Sequence, residues 1–344
     1  MSKRRIIRIV IEIFVSLAFI SSVGFALLHA YGFRYDIVER AFVKRTIVDL
    51  PVDLEDVYIT FDGVYVADKT PYQIFNVKPG RHNLKVEKEG YYTWEENFKA
   101  QEDIVSSFGD IFIFPTDMEK LKTVVLAGES LGEFTIQGGE VFLLKDGEKN
   151  QKLDLKTGEF SEVAANQLIQ ENLELKKNED DVRNFVANVL PIATIKQLNL
   201  LYHPAINKKI VYLSFTNGSK GIYEITNQAL RLIDEVDLSL FDYTDSGRQL
   251  LYTNGFDVKV YDVLEDKVKL VSRFSQKLNL LQWYEDSYFV YGTPKSVNAC
   301  DQPLKHCVPL WNVTEANSEI KNLEYLPSEN SWIVIRSQEV AVYK

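Results

Sequence analysis

The sequence predicts a mainly β protein carried on a single membrane-spanning helix. Three observations predict it. An apolar run without Asp, Glu, Lys or Arg extends from Ile13 to Phe33. Behind it, short alternating runs are punctuated by Asp-Gly, Thr-Pro, Pro-Gly and Glu-Gly pairs. In the second half, a strand, polar turn and strand recur at intervals of about 40 residues, a period that belongs to repeat architectures.

The apolar run comes first. Its length of about 21 residues is close to the roughly 20 that span a bilayer. Lys3, Arg4, Arg5 and Arg8 precede it, and Arg34 and Asp36 end it. A basic flank favours the cytoplasmic side, which puts the bulk of the chain outside. The rival reading is a cleaved signal peptide, whose apolar core is shorter and ends in a small-x-small site. Leu28-His29-Ala30 matches such a site poorly. The run is apolar on every face, which argues against a buried core helix. The expectation is a basic cytoplasmic tail over 1–8, a signal-anchor helix over 9–33 and a juxtamembrane stalk over 34–45.

At 344 residues, the chain has room for about two domains besides the anchor. A hydrophobic content of 46% with 26% charged residues is that of folded protein. The net charge of −10, with no Lys/Arg stripe beyond the N-terminus, argues against nucleic acid as a partner. The two cysteines are Cys300 and Cys307. Outside the cytoplasm they can close a short loop as a disulfide, with free thiols as the alternative. With His306 they make a poor zinc set, because a fourth donor is missing nearby.

From Thr46 the pattern is β. In "DVYITFDGVYVA" apolar and polar residues alternate around Asp62-Gly63, a strong hairpin signal. Thr70-Pro71, Pro79-Gly80 and Glu89-Gly90 mark further turns. Leu84 and Val86 share one face of a strand, Lys85 and Glu87 the other. "DIFIFP", residues 110–115, reads as a last strand stopped by proline. Tyr91, Tyr92 and Trp94 read as core and sheet-face packing, with an aromatic ligand platform as the alternative.

Gly63, Thr70, Pro71, Pro79, Gly80, His82, Lys88, Gly90, Tyr91 and Trp94 follow one another in an order and spacing that resembles a PEGA domain. "PVDLEDV", from Pro51, stands where the Pro-Glu-Gly-Ala segment of that family would be. The resemblance implies a small extracytoplasmic β-sandwich over 46–117, used for surface attachment or protein contact rather than catalysis.

The rest, 118–344, reads as a β-propeller. Four stretches beginning at Leu198, Leu238, Leu278 and Ile320 align, with His203, Tyr243, Trp283 and Tyr325 in one column. Third strands are expected at "GIYEI", "DVKVYDV" and "CVPLWNV". The turn Asp245-Ser246-Gly247 resembles the hairpin turn of WD40-like and TolB-like propellers. An earlier blade is expected over Gly132–Val163, with hairpins at Asp146-Gly147 and Thr157-Gly158. Residues 166–190 are rich in helix formers and interrupt the pattern, an insertion placed at about 164–197. The count is about five blades, with six as the alternative. The final "EVAVYK" is expected to pair near Val124-Val125-Leu126, which would leave no open edge.

No catalytic set stands out. His29, His82, His203 and His306 are scattered, and neither a His-Glu-x-x-His motif, a Gly-x-Ser-x-Gly elbow nor a glycine-rich phosphate loop occurs. Glu179-Asp180-Asp181 lacks the ligand spacing of a calcium loop and reads as a solvated charged face. No catalytic residue, metal ligand or cofactor is assigned. The expected protein is a non-enzymatic envelope scaffold contacting a surface protein or a cell-wall glycan. The alternative is a propeller-type hydrolase acting on glycans or peptides outside the membrane.

Overall fold

The computed structural model describes residues 3–343, except 37–39, 126–132, 138–139, 145–150, 155–159, 163–177, 191–193, 227–228, 285–286, 313–319, 327–330, 337–338 and positions 53, 103, 110, 119, 202, 204, 207 and 303. The chain divides into two compact units, Met1–Thr116 and Asp117–Lys344.

The first unit opens with helix α1, Lys3–Ala30, whose segment Ile11–Ala30 is long and apolar enough to cross a membrane. The helix stops three residues before the apolar run does. Gly32 sits at φ 82°, a left-handed conformation that glycine adopts without strain, and Phe33 opens a strand. The segment expected as a stalk is a two-stranded antiparallel hairpin, β1 (Phe33–Asp36) with β2 (Ala41–Lys44).

Seven strands then form two sheets: β3 (Thr46–Leu50), β4 (Tyr58–Phe61), β5 (Val64–Ala67), β6 (Tyr72–Val77), β7 (Gly80–Glu87), β8 (Trp94–Ala100) and β9 (Ser106–Ser107). One sheet has the order β5-β4-β7-β8, the other β6-β3-β9. Period-two alternation sends Val48, Leu50, Ile59, Leu84 and Val86 into the shared core, all fully buried. Asp62 and Gly63 both have positive φ, as a two-residue type I′ hairpin requires, and Phe61 pairs with Val64 across them. Thr70 ties the β5–β6 connection to the preceding loop. Its amide donates to the Leu54 carbonyl at 2.9 Å, and its hydroxyl accepts from the Leu54 amide at 2.7 Å.

One strand expectation fails here. Residues 111–114 join no ladder, and Pro115 makes only an isolated bridge to Tyr91. Ile111 and Phe114 are buried by packing, while the Phe114 carbonyl accepts from the Tyr92 amide. Alternating apolar residues can satisfy burial without sheet pairing.

The second unit contains, among the described residues, five four-stranded antiparallel sheets. Blade 1 spans Glu133–Gln137 to Phe160–Glu162, blade 2 Ile195–Leu201 to Leu230–Asp234, blade 3 Leu240–Tyr243 to Lys267–Arg273 and blade 4 Leu280–Tyr284 to Cys307–Asn312. Blade 5 takes three strands from Ile320–Leu326 to Glu339–Tyr343 and its fourth from Lys120–Val125, with Val124 opposite Val340. This joining of first and last strands is the expected closure. The fold is a β-propeller. The expected hairpins at 146–147 and 157–158 lie outside the described residues. "CVPLWN" is the fourth strand of blade 4, not the third. Ser296–Asp301 is the third, and the two pair with Cys300 opposite Cys307.

Adjacent blades pack face to face. Leu201, Ile210 and Tyr212 of blade 2 meet Tyr243, Leu250 and Tyr252 of blade 3. Leu251 and Val260 of blade 3 meet Leu281, Trp283 and Phe289 of blade 4. Blades 4 and 5 join through rings: Tyr284 stacks on Trp332 at 5.1 Å, and Trp311 meets Tyr343 at 5.5 Å. Blade 5 packs on blade 1 through Ile333, Ile335 and Val141. The inserted helix, α2 (residues 178–189), buries Val182 and Val186 against Val211, Leu213 and Phe215. These alternate with the blade 2 residues that face blade 3. The helix therefore covers the face of blade 2 on which a further blade would otherwise sit. Asp180 and Asp181 lie exposed in its first turn, where carboxylates complement the helix dipole.

Candidate functional site

The sandwich carries an open groove of about 400 Å³ lined by Asp56, Val57, Tyr58, Glu87, Lys88, Glu89 and Thr93. Its position follows from strand order. Tyr58 on β4 is the register partner of Glu87 on β7. Ile59 faces the core, so its neighbour Tyr58 points out and is 53% exposed. Tyr58 stacks on Tyr65, itself 48% exposed, at 5.0 Å and 29°. Lys88 donates from Nζ to the Glu55 carbonyl at 3.0 Å and lies 5.2 Å from the Tyr91 ring. The groove thus pairs an aromatic wall with carboxylate acceptors, the equipment for holding a sugar ring or an apolar side chain that carries donors.

The propeller offers a second polar cluster. Asp242, Gln282 and Glu324 occupy the same repeat position on the first strands of blades 3, 4 and 5, which lie side by side. Asp242 accepts from the Trp283 amide at 2.7 Å and from the Tyr243 amide at 2.9 Å, so it straps blade 3 to blade 4. Burial pushes its carboxyl up to about 6 against the pull of those two amides, and the charges of Asp245 and Glu324 add to the rise. The Gln282 Oε1 atom is sheltered from solvent and has no hydrogen-bond partner among the described residues.

Cys300 and Cys307 are joined as a disulfide across the last hairpin of blade 4. His306 hydrogen-bonds Asp301 through Nδ1 at 2.8 Å in the intervening turn. His203 packs on Tyr243 at 5.4 Å, and its Nδ1 accepts from the Ala205 amide. His82 contacts Asp62 and the Lys78 carbonyl through its two ring nitrogens, both at 2.7 Å, and stacks on Phe61 at 5.0 Å. Among the described residues, no group of three or more His, Cys, Asp or Glu is arranged to hold a metal ion.

The motif residues of the sandwich have structural places. Gly63, Gly80 and Gly90 take positive φ at three turns, Thr70-Pro71 joins β5 to β6, and Pro79 precedes β7. Trp94 is buried, 5.8 Å from Phe108. Residues 54–108 match the PEGA domain. The match begins after β3, although β3 completes the three-stranded sheet. The groove lies within the PEGA domain, beside Gly90 and Tyr91. Sequence reasoning missed the Tyr58–Tyr65 pair. The signal was present in "DVYITFDGVYVA", where the phase that buries Ile59 leaves Tyr58 outside.

No curated relative matches the chain by sequence. Among solved structures, similar chains include an auxiliary nutrient binding protein from Bacteroides thetaiotaomicron, at 8% identity and TM-score 0.36, covering 84% of this chain and 90% of that one. A protein described as TolB from Agrobacterium tumefaciens matches at 10% identity and TM-score 0.33, covering 58% of this chain and 66% of that one. The β-propeller domain of Cps50 (Swd1) from Myceliophteria thermophila matches at 9% and 0.32, covering 76% and 78%. Likeness this distant carries no functional argument. The propeller assignment rests on the strand order itself.

Proposed function

We propose that the chain is a non-enzymatic, membrane-anchored protein of the bacterial cell envelope. Its β modules stand in the aqueous space beyond the membrane and bind a surface protein or a cell-wall glycan. One observation carries this reading: a membrane-length apolar helix is followed, after a short hairpin, by a PEGA domain whose exposed tyrosine pair borders a groove. Lys3, Arg4, Arg5 and Arg8, in the first turns of α1 ahead of its apolar span, favour a cytoplasmic N-terminus. The anionic whole disfavours acidic polymers as partners, unless divalent cations bridge them.

The test is co-sedimentation of residues 46–344 with isolated cell wall, and cross-linking to purified envelope proteins. The double variant Tyr58→Ala, Tyr65→Ala is expected to weaken the retained interaction about tenfold, roughly 1.4 kcal/mol. Unchanged affinity would remove the groove from the binding surface. A hydrolase reading draws on one observation, the Asp242 carboxyl with Glu324 nearby. Against it, both Asp242 oxygens already accept backbone amides. Hydrolysis of glycan or peptide by this chain, abolished by Glu324→Gln, would replace the scaffold reading.

A further inference from the structure

The hairpin of β1 and β2 follows the membrane-length helix after two residues, and three aromatic side chains in and just before it are exposed. Tyr31 is 71% exposed, Tyr35 53% and Phe42 41%. Tyr35 and Phe42 are cross-strand partners with rings 5.3 Å apart. Phe42 also meets Phe25 of the helix edge-on at 6.4 Å. Phe25 lies inside the apolar span, five residues before Ala30. At a helical rise of about 1.5 Å per residue, that is roughly 7.5 Å inward from the helix end. The hairpin therefore folds back along the helix instead of standing away from it. Ring contacts run from Phe25 to Phe42 and on to its cross-strand partner Tyr35.

The charge pattern agrees. The chain is acidic as a whole, yet residues 34–45 hold four basic residues, Arg34, Arg40, Lys44 and Arg45, against two acidic ones. The Lys44 ammonium lies 5.5 Å from the centre of the Phe33 ring. Aromatic rings with one wet side, flanked by cations, are the composition of the headgroup layer, where rings fill the acyl boundary and cations meet phosphate.

We propose that the paired strands Phe33–Asp36 and Ala41–Lys44 are a membrane-interface element, seated in the headgroup layer of the leaflet where α1 emerges. It would fix the height and tilt at which the PEGA domain leaves the bilayer. The inference rests on the anchor reading of α1 and goes beyond it, because a single helix needs no second contact to span.

The test uses the full chain in phosphatidylcholine–phosphatidylglycerol vesicles, with nitroxide labels at Tyr35→Cys, Phe42→Cys and Tyr31→Cys. Phe19→Cys reports mid-span and Tyr65→Cys reports the aqueous phase. Collision with oxygen is compared with collision with a water-soluble nickel chelate. At residues 31, 35 and 42 the oxygen-to-chelate ratio is expected to exceed that at 65 by at least about threefold. Ratios at 35 and 42 equal to that at 65, with 19 in lipid, would overturn the hairpin proposal alone. An aqueous signal at 19 would overturn the anchor reading, and the proposal with it. Tyr31→Cys reports where the helix ends, and labels at 35 and 42 are read in separate chains, so that either one decides the proposal if the other disturbs the fold.

Discussion

At the scale of single residues, Asp242 shows how one carboxylate ties two blades together and still carries a cost. Its oxygens satisfy two backbone amides, but burial lifts its ionisation to about 6 from the ordinary 3.8. The unfolded chain releases this proton near pH 4 and the folded chain near pH 6. Stability contributed at this position is therefore greatest at low pH and falls as pH rises between those values. Asp242→Asn keeps an acceptor and removes the charge. Its stability relative to wild type is expected to improve by about 1–3 kcal/mol between pH 4 and pH 7, measured by urea denaturation at both. A difference that does not change with pH would show that the carboxyl titrates normally. Nothing in the local sequence announces this: "LFDYT" reads as an ordinary strand end. Asp242, Gln282 and Glu324 each stand one place before the aromatic column Tyr243, Trp283 and Tyr325 of the repeat, but their meeting needed the strand order.

At the scale of elements, turn chemistry was the most legible part of the chain. Asp62-Gly63 predicted a hairpin because few other residue pairs tolerate two positive φ values in succession, and both are positive. Strand identity was harder to read. "DIFIFP" and "CVPLWN" alternate equally well, yet the first is packed without a ladder and the second is the outermost strand of its blade. Alternation reports which side chains are buried and is silent on which neighbour supplies the hydrogen bonds. The disulfide is a property of one hairpin. It closes a loop seven residues long in sequence separation, for which chain entropy gives about 2 kcal/mol. Replacing both Cys300 and Cys307 by Ser should lower the thermal midpoint of the propeller by several degrees. A midpoint unmoved by the double change would mean that the Asp301–His306 turn holds the hairpin unaided.

At the scale of the whole molecule, the repeat of about 40 residues was enough to anticipate a propeller. What it could not reveal was that α2 covers blade 2, because a helix has no place in the repeat. Blade 5 depends on contacts between distant parts of the chain. Lys120 and Arg336 both bond Glu339, and both cations lie within 6 Å of the Tyr343 ring, at 5.9 and 5.7 Å. Burial raises the Glu339 carboxyl, but the Arg336 and Lys120 partners outweigh it and hold it below its usual range. Removing residues 339–344 strips Val340, Ala341 and Tyr343 from the core and should abolish a single cooperative unfolding transition, followed by circular dichroism. A truncated chain that melts as sharply as the intact one would show that the five sheets hold together without the clasp.

The clasp also sets a timetable. The strand Lys120–Val125 is synthesised more than 200 residues before Glu339, the partner that Lys120 bonds. Until residues 339–343 have left the ribosome, that early strand waits without a neighbour on the side they will fill. Cells making this protein must therefore keep a half-made wheel from pairing with strangers for most of its birth.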